Sequence, residues 1–149
     1  MNSKDAQTAV RRFVHETWES LDWNGLFGEI ELEDNPPKLY GSVKKKPTNP
    51  TAVHGHYIID VISGGPSSNN RQDQKRSSYN DTLEIVISYP AEYGSTPGVA
   101  VTTELSNRLN YLPHDFAIAN NFLQNIGEGE DGLYHYSVVV DYIYHHFDS

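Results

Sequence analysis

Over residues 6–21 the apolar side chains Val10, Phe13, Val14, Trp18 and Leu21 recur at three- and four-residue steps, with Thr17 on the same stripe. Arg11, Arg12, Glu16 and Glu19 fall on the opposite side. This spacing predicts an amphipathic helix, capped at Ser3 or Asp5 and ended by Asn24-Gly25. A second stripe, Val101, Leu105, Leu109 and Leu112, predicts another helix over 98–112. Thr96 stands at its N-cap position, Pro97 at its first turn and Pro113 at its stop.

Elsewhere the period is two. In 82–89, Leu83, Ile85 and Ile87 alternate with Glu84, Val86 and Ser88, and Pro90 closes the run. In 133–147, Tyr134, Tyr136, Val138, Val140, Tyr142 and Tyr144 line one face. His135, Ser137, Val139, Asp141, Ile143 and His145 line the other. The β-formers Tyr57, Ile58, Ile59, Val61 and Ile62 predict a strand over 54–63, stopped by Gly64-Gly65-Pro66. Weaker strands are expected at 30–32 and 117–126. Asn35-Pro36-Pro37 breaks the chain, 43–50 reads as loop, and 127–132 reads as a hairpin loop. Residues 64–78 hold no large apolar side chain and are expected to form a long mobile loop. The sum is one domain, 1–149, of the α+β class: a mostly antiparallel β-sheet with two α-helices packed on one face.

Composition narrows the function. At 149 residues the chain suffices for one sizeable core without staples. There is no cysteine, which removes disulfides, thiolate nucleophiles and thiolate metal sites. No apolar stretch follows the polar start, so no signal peptide is expected, and no window is apolar enough to span a membrane. The net charge of −9 opposes binding to nucleic acid or an anionic membrane surface. The basic residues gather at Lys44-Lys45-Lys46 and at Arg71, Lys75 and Arg76, both in turn-rich sequence. Ten tyrosines against five phenylalanines suit half-buried edges and interfaces.

Candidate chemistry is thin. His54 and His56 share a strand face, and His135 and His145 also stand at even spacing, but no carboxylate lies near them at ligand spacing. His114-Asp115 lacks a marked nucleophile, since no Gly-x-Ser-x-Gly is present. Gly64-Gly65-Pro66 precedes a polar loop rather than a helix, so it is neither a P-loop nor a dinucleotide fingerprint. No catalytic, cofactor-binding or metal-binding residue is therefore assigned, and the chain reads as non-enzymatic.

The order of elements resembles that of siphophage tail terminator and related tail-completion proteins. The resemblance rests on HYIIDVISGG (His56 to Gly65), Arg76, DTLEIVISYPAEYG (Asp81 to Gly94), the helix VAVTTELSNRL (Val99 to Leu109) and the closing SVVVDYIY (Ser137 to Tyr144). It implies a ring, usually a hexamer, in the virion at the head-proximal end of the tail, assembled in the host cytoplasm. Such a ring caps the tail tube and meets the head connector or head-completion protein, while DNA passes through without specific binding. Its partners would be its own copies, the tube protein and the connector.

A ring subunit needs two different patches that meet head to tail. The candidates are the basic Arg71, Lys75 and Arg76 and the acidic Glu128, Glu130 and Asp131. Two alternatives stand beside this reading. One is an α+β adaptor that binds a peptide by strand addition. The other is a small metal-dependent hydrolase that uses the histidines.

Overall fold

A computed structural model describes residues 3–28, 30–41, 53–66, 76–113 and 115–147. Among these residues three helices and five strands follow one another as α1 (Ser3–Ser20), α2 (Trp23–Phe27), β1 (Lys38–Gly41), β2 (His54–Pro66), β3 (Arg76–Pro90), α3 (Thr96–Leu109), β4 (Phe116–Glu128) and β5 (Leu133–Phe147). A single 3-10 turn, Ala91–Tyr93, leads into α3. The strands form one sheet in the order β1-β2-β3-β5-β4. Only β1 and β2 pair in parallel; the other three pairings are antiparallel. This is the α+β fold that the alternation of periods predicts.

β5 lies between β3 and β4 and is paired along its whole length with β3, from Pro90↔Leu133 to Arg76↔Phe147. β3 and β4 are both antiparallel to β5, so they run the same way. The chain leaves β3, crosses over through α3, comes down as β4, and hairpins back into the gap as β5.

One face of this sheet carries the core. Leu83, Ile85 and Ile87 of β3 and Val138, Val140 and Tyr142 of β5 are fully buried. They pack against Val10, Val14 and Trp18 of α1, Trp23 and Phe27 of α2, and Val101, Leu105 and Leu109 of α3. Removing each such aliphatic side chain from water contributes about 1.5–3 kcal/mol. Phe13 is only partly buried, at the border of the helix stripe.

The indole of Trp18 donates to the Pro37 carbonyl (2.7 Å), and that of Trp23 donates to the Trp18 carbonyl (2.8 Å). The two rings sit 4.4 Å apart. Both tryptophans are thus core residues with satisfied N–H groups.

Several local expectations are corrected. Asn24-Gly25 does not end the first helical segment; it lies inside α2, whose N-cap Asp22 accepts from the Gly25 N–H at 3.1 Å. Residues 30–32 are not a strand: Ile30 and Leu32 pack against the core outside the sheet, and the edge strand forms after Pro36-Pro37 instead. The N-cap of α3 is Ser95, and Thr96 already lies in the helix.

Gly64-Gly65-Pro66 does not stop β2. The ladder continues through Gly64↔Tyr79, Gly65↔Ser78 and Pro66↔Ser77. Among the described residues β1 covers β2 only as far as Tyr57, so Pro66 stands where β2 has one partner strand, the edge setting in which proline is tolerated. The expected loop at 64–78 is therefore strand at both ends, and its middle, 67–75, lies outside the described residues.

The tyrosines are also deeper than their number suggests. Tyr57, Tyr89, Tyr142 and Tyr144 are buried in the core. His15 Nε2 is 3.0 Å from the Tyr57 hydroxyl, and the Tyr142 hydroxyl donates to Asp81 Oδ2 at 3.2 Å. Tyr89 donates to the Gly94 carbonyl (2.6 Å) and accepts from the Gly98 N–H (3.0 Å), tying β3 to the start of α3. Burial pushes the Tyr89 hydroxyl up to about 12, so it stays protonated and donating.

Candidate functional site

The sheet has two unlike edges. β1 is four residues long and opens with the exposed Lys38. β4 is thirteen residues long, and from Phe116 to Gly127 it carries no charged side chain. Phe122 (42 % exposed), Leu123 (37 %) and Ile126 (49 %) all stand open along it. Its inner edge pairs with β5, with bulges between Ile118 and Asn120 and between Asn125 and Gly127. Among the described residues no strand pairs with its outer edge, and such an edge is the usual template for adding another strand.

β4 is held rigidly. Asn121 donates to the Ser106 carbonyl and to Asn110 Oδ1 (both 3.0 Å) and accepts from Ser106 Oγ (2.8 Å), which fastens the strand to α3. Tyr111, just beyond that anchor, is 80 % exposed.

Glu128, Glu130 and Asp131 are gathered at the exposed β4–β5 hairpin. Asp131 Oδ1 accepts from the Leu133 N–H at 3.0 Å; this bond first, and His135 second, hold its carboxyl below the usual range. Arg76 begins β3 at the other end of the sheet, opposite Phe147. β5 separates the two ends by about 45 Å, from its fifteen residues at roughly 3.3 Å each. Within one chain the start of β3 at Arg76 and the acidic hairpin therefore stand at opposite ends of the sheet. Arg71 and Lys75 lie outside the described residues.

The face of the sheet away from the helices holds a feature that residue spacing does not reveal. Lys38, His54, Ser88, His135 and Gly127 form one row across all five strands. Ser88 Oγ lies 2.7 Å from His135 Nδ1, and His135 Nε2 lies 3.2 Å from Asp131 Oδ2. His56 is in the next row, and burial, then His54 and His135, lower its affinity for a proton.

The chain Ser88–His135–Asp131 has the residue types of a hydrolytic triad but not the access. Ser88 is fully buried, so its hydroxyl is not placed to attack a substrate. His145 stands ten residues from His135 along β5, with Nδ1 3.0 Å from Ser78 Oγ, far along the sheet from His54, His56 and His135. Among the described residues no three His, Cys, Asp or Glu side chains come together to hold a metal ion. Of the pair His114-Asp115, Asp115 is exposed, and His114 lies outside the described residues. No helix among the described residues is long and apolar enough to cross a membrane.

No family model matches the chain. No curated protein matches it either. Among solved structures, one whose name specifies no activity superposes over 100 % of this chain and 99 % of its own, with a TM-score of 0.63 at 12 % identity. At that identity the likeness shows a shared fold over the whole length and nothing of function.

Proposed function

We propose that this protein is a structural subunit of a phage virion: a tail terminator that closes into a ring on the tail tube and offers a surface to the head connector. The observation that carries the reading is the pair of unlike sheet edges, with β4 long, free of charge from Phe116 to Gly127 and open at Phe122, Leu123 and Ile126, and β1 short and headed by Lys38. Two different patches on one subunit suit a head-to-tail contact, which closes into a ring when the rotation between copies allows it. The acidic hairpin and the Arg76 end, on opposite ends of the sheet, suit contacts above and below such a ring or between neighbouring copies. A net charge of −9 also suits a lumen that lets DNA pass without holding it.

The test is complementation of a terminator-defective siphophage, with tail length scored by electron microscopy. Tails of defined length and restored infectivity are the expected result. Failure of the protein to associate with tails rejects the function.

The β4 edge favours a second reading, an adaptor that takes an extended peptide from another protein as an added strand. A protein that stays monomeric at high concentration and leaves tails unaltered, yet binds such a peptide, would decide for it.

A further inference from the structure

Resting on the ring-subunit reading, we infer that neighbouring copies join by sheet continuation: the outer edge of β4 in one copy pairs antiparallel with the outer edge of β1 in the next. Three observations lead there.

The first is direction. β1 runs with β2, and each later neighbour in the order β2-β3-β5-β4 is antiparallel to the last. β1 and β4 therefore run oppositely. Two copies placed side by side in the same orientation bring β4 and β1 together as an antiparallel pair, with no need to turn either copy over. Repeating that step is a head-to-tail contact of the kind a ring requires.

The second is charge. One row of the sheet begins at Lys38 and ends at Gly127, the neighbour of Glu128. Continuing the row into the next copy sets Lys38 beside the hairpin that carries Glu128, Glu130 and Asp131. Chains of net charge −9 repel one another, and this alignment lets them meet on an uncharged strand with opposite charges at its end. Pairing of β4 with another β4 about a two-fold axis would leave the acidic hairpin without that cation.

The third is the side chains that the pairing covers. The next row on the same face begins at the half-buried Tyr40 and ends at the exposed Gln124, flanked by Phe122 and Ile126. An aromatic ring from β1 then lies over the open apolar side chains of β4. An unpaired edge with exposed apolar side chains is the feature that soluble proteins otherwise blunt with charge or proline.

The absence of cysteine makes the test direct. Tyr40→Cys and Gln124→Cys variants are purified separately, mixed near millimolar concentration and oxidised. Directly opposed antiparallel residues lie within disulfide reach. The expected result is a disulfide dimer from the mixture and little from either variant alone, and a ladder ending at one closed size from the double variant. Leu39→Cys with Asn125→Cys, the two ends of the row through Gly55, Ile87 and Tyr136, is the second pair, in case Tyr40→Cys weakens the fold.

An independent readout is charge reversal. Lys38→Glu should weaken association about fivefold per contact, Glu128→Lys likewise, and the two together in one chain should restore it. Dimers from Gln124→Cys alone, as abundant as from the mixture, would overturn the inference in favour of a two-fold β4 pairing. Rings seen by native mass spectrometry without either mixed disulfide would overturn it and leave the terminator reading standing. A chain that remains monomeric at that concentration overturns it as well, whatever the tail-length assay shows.

Discussion

Trp18 occupies the space that a side chain at Gly55 would fill: a β-carbon built there falls 2.9 Å from both Cζ2 and Cζ3 of the indole. The largest side chain of α1 therefore rests on a residue of β2 that has none, and α1 can approach the sheet closely at that point. The Trp18 indole N–H bond to Pro37 fixes the same ring from the side that leads into β1. Gly55→Ala should cost about 1–3 kcal/mol through overpacking, read as a lower urea midpoint with an unchanged slope. A midpoint equal to that of the wild type would show that the indole moves aside freely.

Asp81 offers a test through pH. It is fully buried in β3, and burial raises its carboxyl above the ordinary value of 3.8 while the Tyr142 hydroxyl bond opposes the rise. A raised carboxyl binds its proton more tightly in the folded chain than in the unfolded one. Its penalty is absent below pH 3.8, grows as pH rises above that value, and levels off once pH passes the folded value. Asp81→Asn keeps an oxygen for Tyr142 and removes the charge. The difference in stability between variant and wild type should shift in favour of the variant from pH 4 towards neutrality, by urea denaturation. A difference that stays constant with pH would place the carboxylate in a better solvated site.

His56 should act in the opposite sense. Burial, then His54 and His135, depress its proton affinity below the ordinary value of 6.5. Here the unfolded chain binds the proton more readily, so stability is full above pH 6.5 and is lost as pH falls through that value. His56→Gln should flatten this part of the pH profile, measured as the wild-type-minus-variant difference between pH 5 and 7. An unchanged profile would mean that His56 can be charged without cost on the open face of the sheet.

The Tyr89 hydroxyl joins the end of β3 to the start of α3 through Gly94 and Gly98. Tyr89→Phe keeps the ring and its stacking on Tyr134 but leaves the Gly98 N–H without that acceptor. A loss of about 1–3 kcal/mol is expected, with faster amide exchange at Gly98 than elsewhere in α3. Uniform exchange through the helix would show that the clamp is not what holds its N-terminus.

Local period was enough to place α1, α3, β3 and β5. In each of them burial is decided every second or every three to four residues along one element: Leu83, Ile85 and Ile87 face the helices because of where they stand in the strand. The α+β class follows from those four elements, and so does the alternation of Tyr134 to Tyr144 on the buried face. Phe13 shows the limit of such stripes, since a stripe has borders and only packing decides which side chain lies on one.

The sequence by itself therefore determined the periodic elements, the fold class, the absence of thiol chemistry and the acidic balance of the chain. Only the tertiary structure decided which residues become neighbours across strands. Insertion of β5 between β3 and β4 brings Ser88 to His135, sets His54 in the same row, and leaves β4 as the open edge. Pairing with β3 carries β2 through Gly64, Gly65 and Pro66, residues that read as a stop, and parallel pairing with β2 makes a strand of Lys38 to Gly41. The physical reason is that a ladder is built from backbone groups common to every residue, so its partners are selected by the packing of the whole chain and not by the side chains of either strand alone.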